Sequence, residues 1–537
     1  MKDPGLRHAV IYSAAADFSV PPGDDDAGVL ALDPAYVVPR RIAYWAGRDP
    51  DRPFLEEVTG RKVGYGQMLD GIRRWARHLR DLGVRPGDRV ISMLPQSIDA
   101  HMLWHAASCI GACEVTVNPE LRGSFLTHAL TDAAARLCFV RPESRDLVGA
   151  ERIAGLQVQV VGRDGPGAAQ CAPDDITFPA PEAPSCIIYT SGTTGPAKGV
   201  IVTWAQMSAI IGRLPRSWFS AADTIYLCHA MFHVTGRSPM PVMCDVGGRV
   251  VLREKFSAAH FLEDVRRHGC TSTTAYVALL LPLVERDDDA INPLRLVFGS
   301  HSGRMNARFA ERFGCHVADS YGSTEAGFPI VLRWPMTQDL DRRWCGRLRR
   351  GYQARICDDS GAEVANGTAG ELWIRPPHRA LMTSGYLNRP EQTARAIVDG
   401  WYRTGDAMIR HDDGTFEFVD RIRDTIRRMG ENISSSALEA VIVQQPGVAE
   451  CAAIGVPDPV AGQEILLVVV PRPGEEVDPA HLYERLIGAM PRYMLPAYIA
   501  VRAEVPRTPT NKIRKTALEG AVAEPGTWRT PKLPRTG

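Results

Sequence analysis

An α/β fold with largely parallel sheets, divided between a large N-terminal domain and a small α+β C-terminal one, follows from three features of the sequence. The first is alternation. The amphipathic run GYGQMLDGIRRWARHLRDLGV (Gly64 to Val84) gives way to the short apolar DRVISML (Asp88 to Leu94), and similar pairs recur from Val37 onward. Helix and strand patterns taking turns indicate βαβ units. The second is length: 537 residues exceed what one hydrophobic core supports, so a smaller domain is expected beside the large one. The third is a change of character after the strand-like GTFEFVD (Gly414 to Asp420), where RIRDTIRRMGENIS opens a new unit.

These features divide the chain into a weakly structured leader (1–36), a large domain (37–422) and a small domain (423–537). The small domain reads in order as the helix SSALEAVIVQQ, the strands CAAIGV and EILLVVV, the helix HLYERLIGAM and the loop PRTPTNKIRK. In the large domain, AYVALLLPLV (Ala275 to Val284) is too short for a membrane span and carries Pro282, so it reads as a buried helix. Arg163 to Pro184 is a Pro-, Gly- and Asp-rich connector.

Composition excludes several classes of function. Lys plus Arg and Asp plus Glu are balanced at 62 each, which gives no electrostatic argument for nucleic acid or a membrane surface. None of the twelve cysteines forms a CxxC pair, so a zinc ribbon or dithiol site is not indicated and reduced thiols in a cytoplasmic protein are expected. The N-terminal MKDPGLRHAV has no apolar core of an export signal. The partners expected are a small-molecule acid and at most a second copy of the chain in a homodimer, with no nucleic acid and no membrane span.

The most informative stretch is YTSGTTGPAKG, Tyr189 to Gly199. Gly192, Gly195 and Gly199 let the backbone approach a bulky anion, Thr190, Ser191, Thr193 and Thr194 offer hydroxyl donors, and Lys198 adds a point charge. The flanks SCIIY and GVIVT both read as strands, so this is not a Walker A loop and the anion must be held by backbone amides and side chains. A polar Gly-rich hairpin is the plain structural alternative.

With this motif the chain resembles the adenylate-forming superfamily of acyl- and aryl-CoA synthetases, luciferases and peptide-synthetase adenylation domains. VNPELRG, MFHVTG, RRWCGR and RRMGENIS look closest to medium-chain acyl-CoA and carnitine or crotonobetaine CoA ligases. The resemblance implies stacked mixed sheets with helices in the large domain and a mobile small one, with ATP, Mg²⁺ and coenzyme A as cofactors. It implies that His233 orients the acid, that Tyr321, Gly322 and Thr324 of YGSTE meet the adenine and phosphates, and that Glu325 holds the metal. Asp406 would accept the ribose hydroxyls, with Arg421 on the other side, Arg423 would be the hinge, and Gly430 would line the pantetheine tunnel. Lys512 would bring its ammonium between carboxylate and α-phosphate, where positive charge stabilises the transition state. Each of these residues taken alone would pass for a core histidine, a turn or a solvated charge.

Three departures bear on the substrate. Trp204 stands where a His usually follows Thr, Met429 replaces a frequent glycine before Gly430, and the usual Gly-Gly-Ala reads Gly299-Ser300-His301-Ser302-Gly303. With Arg237 after MFHVTG, Arg237 and His301 are expected to put cations into an acid pocket shared with His233, Ser300 and Gly303, favouring a small polar or aromatic acid. The leading expectation is an AMP-forming acid–CoA ligase. The alternatives are an ATP-dependent diazotase that adenylates nitrous acid and diazotises an aryl amine without CoA, and an inactive nucleotide-binding homologue.

Overall fold

A computed structural model describes residues 31–162, 173–190, 197–213, 218–274, 280–281, 285–298, 303–318, 320–331, 344–358, 360–421, 425–506, 513 and 515–530. Residues 1–30 of the leader, most of the 275–284 helix, Ser191 to Gly195, Ser300, His301, Arg423 and Lys512 lie outside these residues, whereas the end of the leader forms a 3₁₀ turn at Pro34–Tyr36.

The elements that frame the site follow one another along the chain. Helix α1 (Tyr65–Asp81) buries Tyr65, Met68, Ile72, Trp75, Ala76 and Leu79, the face its three-to-four spacing predicts. Strand β1 (Arg89–Ser92) leads to helix α2 (Ile98–Cys109), which begins where Ser97 Oγ accepts from Ala100 N at 3.3 Å. Every residue of α2 is buried, so its polar members must find partners inside the protein. There follow β2 (Cys113–Thr116), α3 (Gly123–Ala133), β3 (Pro184–Thr190), β4 (Lys198–Thr203), α4 (Trp204–Ser208) and, past the His233 turn, α5 (Pro239–Val246).

Strands β5 (Ser320–Ser323), β6 (Gly327–Val331), β7 (Gly385–Tyr386), β8 (Trp401–Arg410) and β9 (Thr415–Arg421) complete the set up to residue 421. Beyond it come β10 (Thr425–Arg428), β11 (Glu431–Ser434), α6 (Ser435–Ile442), β12 (Val448–Asp458), β13 (Gly462–Pro471), α7 (Pro479–Ala489) and β14 (Tyr498–Val501).

Among the described residues the strands form four sheets. In the first, β7, β4, β3, β2 and β1 are neighbours in that order; β1, β2 and β3 run parallel, while β3 and β4 form the antiparallel pair that flanks residues 191–196. The second is parallel except for one edge hairpin and holds Thr224–Leu227 and Leu296–Phe298. The third is antiparallel and contains β5, β6, β8 and β9. The fourth belongs wholly to the chain after residue 424: β10 pairs with β11 and β13, β12 with β13, and β14 runs parallel to β13. Its core of Ile426, Ile433, Leu438, Ile465, Leu482 and Ile499 is separate from that of the larger part, although Phe125 of α3 packs against it. The mixed stacked sheets and the small α+β unit therefore match the fold class expected from the sequence. Of the described residues, no helix is long and apolar enough to cross a membrane.

Candidate active site

The two predicted strands around the phosphate loop are β3 and β4, and their register sets Thr190 directly opposite Lys198 at the loop's root. His128 Nε2 lies 2.9 Å from Ala197 O, which holds the returning limb. Gly199 is a close-approach position: a Cβ there would fall 2.9 Å from Ile187 and 3.1 Å from Leu387. The centre of the loop lies outside the described residues, so the structure places its two ends.

Beside this root stands Tyr386, which the sequence reading did not single out. Strand β7 pairs with β4, Tyr386 opposite Val200, and brings the ring 4.9 Å from Lys198 Nζ. The Tyr386 hydroxyl donates to Glu325 Oε1 at 3.1 Å. Glu325 is held in turn through its backbone, whose carbonyl accepts from Thr383 N at 2.7 Å. Gln206 of α4 donates to Thr324 O at 2.6 Å, so the YGSTE turn is clamped from two sides. A single half-buried carboxylate among hydroxyls suits Mg²⁺, which takes one or two protein carboxylates and completes its shell with phosphate oxygens and water. No cluster of three His, Cys, Asp or Glu side chains suited to a metal occurs among the described residues.

Tyr321 and Asp406 meet directly: the tyrosine hydroxyl donates to Asp406 Oδ2 at 2.6 Å. Both are buried, at 3% and 2% exposure, so in this state Tyr321 offers its hydroxyl more than a free ring face. Asp406 is placed by the turn before it, where Thr404 Oγ1 accepts from Asp406 N and donates to Leu372 O. Across the β8–β9 ladder, the backbones of Asp406 and Arg421 are register partners.

His233 opens a short 3₁₀ turn, Val234–Gly236. Its Nε2 lies 2.8 Å from Glu431 Oε1, on β11 of the small sheet. Burial draws the His233 pKa down, but the charge and hydrogen bond of Glu431 outweigh it and leave the ring above its ordinary value. Gly430 precedes Glu431 at the tip of the β10–β11 hairpin. There Arg428 opposes Glu431, and the two turn residues Met429 (φ +52°) and Gly430 (φ +86°) are both left-handed, a type I′ turn. This geometry explains why glycine is usual at position 429, and Met429 is 45% exposed on the turn.

Arg237, expected to offer a cation to the acid, does not project into an acid site. It is fully buried, its Nη2 lies 2.7 Å from Glu114 Oε2, and its Cζ sits 4.4 Å from the centre of the Trp104 ring. Trp204, the other departure, stacks on the same ring at 5.1 Å and donates its indole N–H to Ser108 Oγ. The cavity near these segments is apolar instead. It is a hollow partly open to solvent between Ile210, Ile211, Phe219, Pro239, Val242 and Phe298, with Ser238 and Thr274 as its polar lining among the described residues. Phe298 and Ser238 directly adjoin the Gly299–Gly303 stretch and Arg237. Cavity and YGSTE turn are linked by one helical segment: Gln206 in its first turn clamps Thr324, while Ile210 and Ile211, in the 3₁₀ turn that follows, wall the cavity. Arg349 fastens the segment by donating to Ala209 O at 2.9 Å and Phe328 O at 3.2 Å.

Two family models match this chain: "AMP-binding enzyme" over residues 42–387 and "AMP-binding enzyme C-terminal domain" over 437–512. The chain belongs to the adenylate-forming AMP-binding enzymes. A sulfoacetate–CoA ligase of Cupriavidus necator is 30% identical over 496 residues, covering 89% of this chain and 96% of that one. A crotonobetaine/carnitine–CoA ligase of Salmonella paratyphi A is 29% identical over 492 residues, covering 86% and 93%. Among solved structures, the amide bond synthetase McbA of Marinactinospora thermotolerans superposes with a TM-score of 0.80 at 26% identity, covering 90% of this chain and 99% of that one. This AMP-binding enzyme is therefore an AMP-forming ligase that uses ATP.

Proposed function

We propose that this AMP-forming ligase activates a carboxylic acid with a compact apolar or aromatic body as its acyl-AMP and passes the acyl group to coenzyme A. The observation that carries the reading is the helical segment from Trp204, which ties the Glu325–Tyr386–Lys198 cluster to an apolar cavity. An acid lying in that cavity would present its carboxylate toward the phosphates. Among the described residues the cavity's lining has two hydroxyls that can orient a substituent and no charged side chain, which favours an aromatic acid over a charged one.

In this reading Asp406, set by Tyr321, accepts the ribose hydroxyls, the loop ending at Thr190 and Lys198 cradles the phosphates, and Glu325 holds Mg²⁺. The metal supplies charge neutralisation on the phosphates. Lys512 approaches from the loop after Pro506 and stabilises the in-line displacement of pyrophosphate. The chain changes domain at 422–424 with Arg423 as hinge, and the arrangement in which Glu431 reaches His233 is the one used for acyl transfer. Turnover of ATP to AMP across a panel of aryl, short alkyl and sulfonated acids, with and without CoA, tests the reading. Benzoate-like acids should lead and CoA thioesters should form; a preference for charged acids would reject the apolar site, and AMP release independent of CoA would reject the acceptor.

In a second reading the acyl group of the adenylate, or the nitroso group where the acid is nitrous acid, passes to an amine with AMP as the leaving group and without CoA. The exposed Met429 beside Gly430 favours it, because the side chain stands at the turn where the tunnel would open. Amide or diazo products in the absence of CoA would select it.

A further inference from the structure

Behind the His233 turn lies a buried polar cluster to which the adenylation chemistry assigns nothing. Gln96, 2% exposed, donates from one nitrogen to two carbonyls, at 2.8 Å to His229 O and 2.9 Å to Gly236 O. These carbonyls bracket the turn. Arg237 donates from Nε to a third carbonyl between them, Met231 O, at 2.9 Å. Each donor is itself fixed. Gln96 Oε1 lies 2.8 Å from His101 Nε2, and since the amide nitrogen is committed to carbonyls, His101 must carry its proton on Nε2. Arg237 is fixed by Glu114 and by Trp104.

The segment packs on the core through Met231 and Val234, and its own backbone bonds are a turn in which His233 N donates to Ala230 O at 3.1 Å and the 3₁₀ turn that follows; Gly236 passes so close to Ala230 O that a Cβ would overlap it. These turns alone would leave His233 many orientations, and the three bonds from the two side chains, Gln96 and Arg237, backed by His101 and Trp104 of α2 and Glu114 of β2, remove them. The pair Arg237–Glu114 also makes sense of its burial. A guanidinium reaching Met231 O from inside a low-dielectric core requires a carboxylate beside it. Trp204 and Arg237 both depart from the family pattern, and both rest on Trp104.

The geometry points to Gln96 and Arg237 as positioning residues for acyl transfer: they set His233 at the height and angle from which it meets Glu431. This rests on the reading of His233 as part of the transfer site. The charged and titratable groups facing His233 are Glu431 from the small sheet and His229 from its own segment; Tyr493 lies within the field of Glu431.

Gln96→Met, which keeps the side chain's length but removes both donated bonds, and Arg237→Lys, which keeps the charge but not the fork, test it. Adenylation and transfer are measured separately by single turnover, and the His233 ring is titrated by NMR. Gln96→Met should slow transfer by about tenfold to a hundredfold, the range that a misplacement of about an ångström produces, and change adenylation by less. The His233 midpoint should fall back toward its ordinary value. Arg237→Lys should show the same pattern more weakly, and it carries the test if Gln96→Met does not fold. Ile72→Val, a core change in α1, controls for lost stability and should leave the midpoint in place. A lowered melting temperature with an unmoved His233 midpoint and unmoved transfer rate would overturn the proposal. His233→Gln separates the two failures: if it spares transfer, the reading of the site falls, and if it stops transfer while Gln96→Met does not, only the positioning role falls.

Discussion

At the scale of single residues, what the sequence hid was partnership. Arg237 was visible as a departure, but its counter-ion Glu114 is 123 positions away, and nothing local to either residue announces the pair. Tyr386 was missed for a similar reason: a lone tyrosine in GYLNRP acquires meaning only when β7 lays it beside Lys198 and Glu325. Replacing it by Phe keeps the ring over Lys198 and removes only the hydroxyl. The adenylation rate at low Mg²⁺ should drop about twofold to tenfold, the net worth of one ordinary hydrogen bond, and recover as Mg²⁺ is raised; a titration of rate against Mg²⁺ shows it, and a uniform loss at all concentrations would place the hydroxyl elsewhere. For His233 the sign is set by Glu431. A histidine whose folded pKa is raised gains from its partner fully below the ordinary value near 6.5 and loses that gain as pH rises through the raised midpoint. Transfer should therefore weaken on the alkaline side, and Glu431→Gln should bring that limb to lower pH; the pH profile of the single-turnover transfer step reads it directly, and an unmoved limb would dissociate Glu431 from the step.

Elements were more legible than residues. The hairpin β3–β4 could be read from two apolar runs flanking a Gly-rich loop, and α1 from its apolar spacing, because in both the pattern that selects the structure is local. The two-residue β7 was not, since so short a strand carries no periodicity and exists only as an addition to β4. The hairpin β10–β11 lies between these cases. Its turn needs two left-handed residues, glycine supplies one, and Met429 supplies the other against its own preference. A Cβ in that region is opposed by roughly 1–2 kcal/mol, and Asn-Gly is the favoured pair. Met429→Asn should stabilise the small domain by about 0.5–1 kcal/mol, seen as a higher urea midpoint and slower amide exchange in β10 and β11. No gain would mean that the Met429 side chain recovers its strain through contacts of its own.

For the whole molecule, the division into a large and a small unit was readable from the change in pattern after Asp420, whereas the docking of the two was not: Glu431 meets His233, and Phe125 meets the small core, only in three dimensions. A second property of the whole also escapes any local pattern. Three histidines lie inside the large unit in neutral form. Burial, with the nearby Arg237 charge adding to it, pushes His105 down to about 3, although its bond to His101 O pulls the other way. His229 is likewise pushed down to about 3 by burial and then by His233, and His101 lies well below its ordinary value through burial, His105 and Arg237. A histidine with a depressed folded pKa takes up its proton in the unfolded chain first, so stability is lost as pH falls from about 6.5 toward about 3, at up to about 1.4 kcal/mol per pH unit for each group. Three together reach about 4 kcal/mol per unit near pH 5. His233 does not offset this, because there it is protonated in both states. Carboxylates held below their ordinary range, such as Asp223 and Glu56, add their own loss only at lower pH, while Glu114, raised by burial, acts in the opposite sense, so the histidines lead the loss between pH 6.5 and 5. Urea midpoints followed by the fluorescence of Trp104 and Trp204 at pH 7.5, 6 and 5 should fall steeply across that window. His105→Phe should reduce the slope by up to about 1.4 kcal/mol per pH unit, because its proton no longer distinguishes the states, and part of the slope stays with His78 and His316, which burial also lowers. A midpoint flat from pH 7.5 to 5 would show that water or charge reaches the interior of α2, and the tight packing around Trp104 on which the Arg237 cluster depends would then have to be redrawn.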